Sequence, residues 1–133
     1  MNAISAPVKS RCAILPKKLI KDHPAKGVEI LKPLKFLETE KKIILHHHER
    51  IDGKGYPAGL KGQEIPFESR LISVVDIFDA MNSARAYRAP LPQEVILEEL
   101  KKASGTQLEA ALVQSFLSLL ANKPRLWSKS YAA

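Results

Sequence analysis

Several things are scarce in this sequence. Cysteine occurs once, at Cys12, so no internal disulfide can form. Aromatic residues make up only 6% of the 133 residues, and Phe36 alone falls in the first third, so that stretch offers no stacking platform for single-stranded nucleic acid. No apolar run approaches the roughly 18 residues needed to cross a bilayer. The start, Met1 to Pro7, lacks the basic segment and apolar stretch of a secretory signal. No segment alternates strictly between apolar and polar, so no half-buried strand is expected. No repeat recurs at a solenoid period. These absences exclude disulfide scaffolds, membrane spans and repeat arrays. They leave one cytoplasmic helical domain, or the cytoplasmic part of something longer.

Hydrophobic residues at 45% and charged residues at 26% are enough to bury a core. The net charge is +7, and it is uneven. Residues 1–45 carry ten Lys/Arg against four Asp/Glu, whereas residues 46–133 carry eleven against ten. An anionic partner would suit the first third, and so would a solvated lysine-studded face. Non-specific nucleic-acid binding rests on charge alone and ranks last.

Helical periodicity organises the rest. Residues 1–22 read as a divergent basic lead-in. A short helix is expected from Ala25 to Leu31, with Pro24 in its first turn and Pro33 as its stop. A second should run from about Phe36 or Leu37 to His48. Residues 50–62 hold Gly53, Gly55, Pro57, Gly59 and Gly62, which forbids a regular element and marks a loop of fixed shape. A long helix follows from Phe67 to about Ser83, with Leu71, Val74, Val75, Phe78 and Met81 or Asn82 as its apolar stripe. Further helices span Gln93 to Ala103, capped by Gly105, and about Gln107 to Leu120. Residues 122–133, with Trp127 and Tyr131, form a tail. The expectation is an all-α bundle of about five helices.

All four histidines, His23, His46, His47 and His48, are candidate ligands. Three consecutive imidazoles on a helix fan out by about 100° each and cannot all face one point, but two neighbours at a helix end can serve two adjacent metals. Asp76 sits among Val74, Val75, Ile77 and Phe78, where a carboxylate needs a partner. That partner is a metal shared with the histidines, or a cation such as Arg50 or Arg70. Asp79 lies one turn on. Arg85 and Arg88, with Tyr87 between them, suit phosphates. They suit equally the negative C-terminal end of the helix before them.

The run His47-His48-Glu49, then Asp52-Gly53-Lys54-Gly55-Tyr56-Pro57-Ala58-Gly59-Leu60-Lys61-Gly62, Ile65-Pro66 and Arg70, closely resembles the HD-GYP family. So do Asp76-Ile77-Phe78-Asp79-Ala80-Met81, Arg85-Ala86-Tyr87-Arg88 and, upstream, His23-Pro24 with Gly27 to Leu31. The likeness spans about residues 23–120. It implies an HD-domain-like helical bundle, N-terminally truncated, with a partial HD-GYP domain over 23–121. It implies hydrolysis of cyclic di-GMP at a divalent-metal cluster, commonly iron or manganese. By the same resemblance His23, His47, His48 and Asp76 match metal ligands. His46 does not, Asp79 and Glu49 back the site, and Arg85, Tyr87 and Arg88 contact substrate. The loop of Asp52, Gly53, Gly55, Tyr56 and Pro57 is associated with site shape and with docking a diguanylate cyclase domain.

The chain departs from the family in one major respect. It has no His-Asp dipeptide, the pair that supplies further ligands. If Ala13 to Pro16 matches the stretch after that pair, its positions fall near Val8-Lys9. Ala84 replaces an acidic residue, and Leu108-Glu109-Ala110 stands where Phe-Asp-Pro is usual. Metal occupancy is therefore expected to be low or absent, and hydrolysis by the chain alone weak or absent. A cyclic di-GMP-binding or cyclase-docking role then outranks it. Loss of the helix bearing that pair should expose an apolar face and favour self-association.

Overall fold

The computed structural model describes residues 17–84 and 88–127, with side chains from Lys21 onward. The positions near Val8-Lys9, Ala13 to Pro16, Arg85, Tyr87 and Tyr131 lie outside the described residues. Five α-helices follow in order: α1 Lys17–Leu31, α2 Glu38–His46, α3 Phe67–Asn82, α4 Gln93–Ala103 and α5 Ala110–Asn122. Among the described residues there is no strand; isolated bridges pair Asp52 with Lys61 and Ser104 with Leu108. The all-α expectation holds.

α1 begins well before the expected Ala25, and Pro24 lies inside it. An interior proline removes one backbone donor, yet Pro24 is fully buried, and that burial offsets part of the loss. Gly27, four residues after His23, lets α1 approach α2. A Cβ there would sit 3.2 Å from Ile44 Cγ2. α2 stops at His46, so His47 and His48 occupy the turn beyond it.

α3 buries a different arc from the one periodicity suggests. Val74, Phe78 and Met81 are buried, but Leu71 and Val75 are 42% and 45% exposed. In their place Ser69, Arg70 and Ser73 face inward. The reason is hydrogen bonding. Ser69 Oγ donates to the Ile43 carbonyl (2.9 Å), and Ser73 Oγ lies 2.6 Å from the His47 carbonyl. Two small polar side chains thus satisfy carbonyls at the end of α2 and hold α3 against it.

The apolar core joins Val74, Phe78 and Met81 to Ile96 and Leu100 of α4, Leu108, and Val113 and Leu120 of α5. Phe116 and Trp127 meet the Phe78 ring edge-on, with centroids 5.0 and 5.5 Å away. Trp127, read as part of a tail, therefore closes the core. α5 starts at Ala110 rather than near Gln107. Gly105, at φ +82°, turns the chain after α4, and Leu108 is buried before the helix begins. Glu109, just before α5, accepts from Arg70 Nη1 at 2.5 Å. Arg70 Nε also donates to the Ile65 carbonyl (3.1 Å), so this buried arginine ties the end of the 52–62 loop to α5. An acid is therefore kept at position 109 and is used.

Candidate metal centre

Three of the four histidines converge. The Nε2 atoms of His23 and His48 lie 3.0 Å apart, and those of His23 and His47 lie 3.4 Å apart. One ring nitrogen from each residue falls within 4.8 Å of the other two. Two ligands about 2.1 Å from one ion are separated by about 3.0 Å at a right angle and about 3.4 Å at a tetrahedral angle. The spacing therefore fits a shared divalent cation. His23 is exposed and the other two are half-buried, so the site opens to solvent beside α1.

Each ring owes its place to local structure. His23 and Gly27 share a face of α1 at a spacing of four residues, and Gly27 is where the two helices close together. His47 Nδ1 lies 2.6 Å from the Ile44 carbonyl. A carbonyl only accepts, so Nδ1 carries a proton, which leaves Nε2 as the ring atom that faces the cluster. His46 leaves in another direction, with its Nδ1 3.3 Å from Glu49 Oε1. It is not one of the three clustered histidines.

His48 is pushed down to about 4 from its usual value near 6.5, first by burial and then by the neighbouring His47 and His23. The ring is thus neutral at pH 7. The shift has a sign for stability. Between pH 4 and 6.5 the unfolded chain binds the proton and the folded one does not, so folding is favoured as pH rises through that window. The metal-free protein is expected to lose stability as pH falls from 6.5 toward 4. Urea midpoints at pH 7 and pH 5 check this, with His48→Gln removing part of the difference.

The 52–62 loop lies against His48. Tyr56 stacks on the His48 ring, with centroids 5.2 Å apart and planes at 24°. The Tyr56 N–H donates to the His48 carbonyl (3.3 Å). Glu49 has a fully buried side chain that accepts from the Ala58 N–H (2.7 Å) and the Leu60 N–H (3.0 Å). Gly55 is required by close approach, since a Cβ there would fall 2.4 Å from Arg50 N. Gly53, at φ +79°, makes the turn after Asp52. Asp52 accepts from Arg50 Nε (3.1 Å), Arg50 Nη2 (2.6 Å) and the Lys54 N–H (3.0 Å). The Arg50 guanidinium holds its carboxyl below the usual range. The peptide bond between Tyr56 and Pro57 is cis.

The remaining candidates stand differently. Asp76 lies three residues after Ser73 on α3, yet it is exposed and outside the cluster of three imidazoles. Neither arginine proposed as its partner reaches it: Arg50 pairs with Asp52 and Arg70 with Glu109. The apolar surround expected around Asp76 is absent, because Val75 also faces outward. Asp79 accepts from Ser83 Oγ (3.1 Å) near the end of α3. Arg88 Nη2 donates to the Ala80 carbonyl (2.8 Å), the helix-end contact that its sequence position allowed. Ser73, which orients the His47 backbone, was not singled out from the sequence. A serine within an apolar helix was its only signal.

Residues 15–112 match the family described as HD domain. The chain belongs to the HD domain family. The match begins eight residues before His23. A Thermotoga maritima cyclic di-GMP phosphodiesterase is 41% identical over 103 residues, which cover 76% of this chain and 28% of that protein. The Xanthomonas campestris cyclic di-GMP phosphodiesterase response regulator RpfG is 39% identical over 101 residues, covering 74% and 27%. A solved Vibrio cholerae cyclic GMP-AMP-specific phosphodiesterase aligns with a TM-score of 0.67 at 27% identity, over 82% of this chain and 25% of that one. The chain thus spans about a quarter of the length of these relatives. The HD-GYP resemblance and the helical HD-domain fold are both borne out. HD-domain phosphohydrolases are metal-dependent, and the histidine cluster here can hold a metal. No helix among the described residues is long and apolar enough to cross a membrane.

Proposed function

We propose that this HD domain carries a metal-dependent phosphodiesterase centre for a cyclic dinucleotide, with cyclic di-GMP as substrate. The observation that carries this is the meeting of His23, His47 and His48 Nε2 at ligand spacing. The relatives named as cyclic di-GMP phosphodiesterases support the substrate class. His23, His47 and His48 would hold the ion, with Asp76 as the fourth ligand once its exposed carboxylate turns toward them. A bound divalent ion supplies Lewis-acid stabilisation of the phosphodiester and a water acidified toward hydroxide. The chain's own part is to hold the imidazoles converged. The Ile44 carbonyl fixes the His47 tautomer, and burial keeps His48 uncharged. Arg85 and Arg88, with Tyr87 between them, are the proposed phosphate contacts. Iron and manganese are the proposed metals.

A second reading is a binding module that docks a diguanylate cyclase domain through the loop. The fixed loop, with Lys54, Pro57, Ala58 and Gly59 exposed on its outside, favours it. The test begins with elemental mass spectrometry of protein supplied anaerobically with ferrous iron and manganese. One ion per chain is expected, and none would overturn the metal centre. Cyclic di-GMP is then offered to the loaded protein. Release of the linear dinucleotide or GMP supports the enzyme. Binding without turnover selects the second reading.

A further inference from the structure

His47 and His48 are adjacent, yet they are held by different means. His47 has the Ile44 carbonyl behind its Nδ1. Among the described residues, the His48 side chain makes no hydrogen bond except the one between its Nε2 and that of His23. A histidine in a turn beyond a helix end, with no partner on its far nitrogen, can turn about its side-chain bonds. The Tyr56 ring lies flat on it. Tyr56 is itself fixed, because its N–H donates to the His48 carbonyl and Gly55 packs directly on the Glu49 backbone. Glu49 then holds the far side of the loop through Ala58 and Leu60.

We infer that Tyr56 is a positioning residue for the metal centre: its ring face holds the His48 imidazole with Nε2 toward His23, as the Ile44 carbonyl does for His47. This rests on the metal-centre reading above and adds to it a residue that need not touch the metal. The flat ring matters more than the hydroxyl, so phenylalanine should serve as well as tyrosine. Leucine fills similar space but offers no ring face.

The probe is Co²⁺ added to the metal-free protein, read by its visible absorption bands and by calorimetry. Tyr56→Leu is expected to weaken Co²⁺ binding by about 10–100-fold, the usual effect of losing a partner that orients a ligand, and to shift the absorption bands. Tyr56→Phe is expected to restore both. Thermal melts establish that each variant is folded. A folded Tyr56→Leu that binds Co²⁺ like the wild type overturns the inference. So does a Tyr56→Phe that is as weak as Tyr56→Leu. If the wild type binds no Co²⁺, the metal-centre reading fails on its own. Positioning is then read without metal, from the nuclear Overhauser contact between the His48 and His23 rings. That contact should persist in Tyr56→Phe and vanish in Tyr56→Leu, and its survival in Tyr56→Leu overturns the inference.

Discussion

Glu49→Ala is expected to destabilise the protein by about 2–4 kcal/mol, because two loop N–H groups lose a charged acceptor. The Glu49 side chain is fully buried, and its two oxygens serve Ala58 at 2.7 Å and Leu60 at 3.0 Å. Alanine leaves both donors facing the hole where the carboxylate was. It also removes the contact to His46 Nδ1. Glu49→Gln should cost roughly half as much, since one oxygen remains and the new amide N–H₂ meets a donor. Urea denaturation at pH 7 measures both. A shift under about 0.5 kcal/mol for Glu49→Ala, the range of an ordinary surface change, would mean that the loop is held by its backbone alone.

His47→Ala is expected to lower divalent-metal affinity by more than about 100-fold, beyond what loss of an orienting partner costs. His47 Nε2 lies 3.4 Å from His23 Nε2, and it is aimed by the Ile44 contact. Without it, two imidazoles remain, one of them on the exposed face of α1. His46→Ala is the control. That residue turns to Glu49 instead of the cluster, so metal affinity should stay near the wild-type value. Calorimetric titration with Mn²⁺ or Co²⁺ compares the two. Equal loss in both variants would mean that the triplet acts as one unstructured patch. No loss in His47→Ala would remove it from the ligand set.

Much of the site was legible because its residues are close in sequence. His47, His48, Glu49 and the loop to Gly62 form one run, and glycine spacing alone announced a fixed turn. Long-range pairings were not legible. Arg70 and Glu109 lie thirty-nine residues apart, and neither position by itself says that they meet. The exposure of Asp76 was not legible for a related reason. Its neighbours in sequence are apolar, but α3 is rotated so that Val75 and Asp76 face outward while Ser69 and Ser73 face α2. Apolar periodicity assumes that apolar residues choose the buried arc. Here hydrogen bonds to the carbonyls of Ile43 and His47 turned the helix instead.

The sequence by itself determined the helical class, the α4 boundaries and the shape-bearing loop. Each follows from local chemistry: proline and glycine stops and spacing at helical period. Tertiary structure alone decided that His23 meets His47 and His48, because that depends on α1 lying close to α2 at Gly27. It alone decided that the loop rests on His48, with Tyr56 over the imidazole and Glu49 beneath Ala58 and Leu60. Those contacts join residues that no short-range rule connects, and they form only when the helices pack.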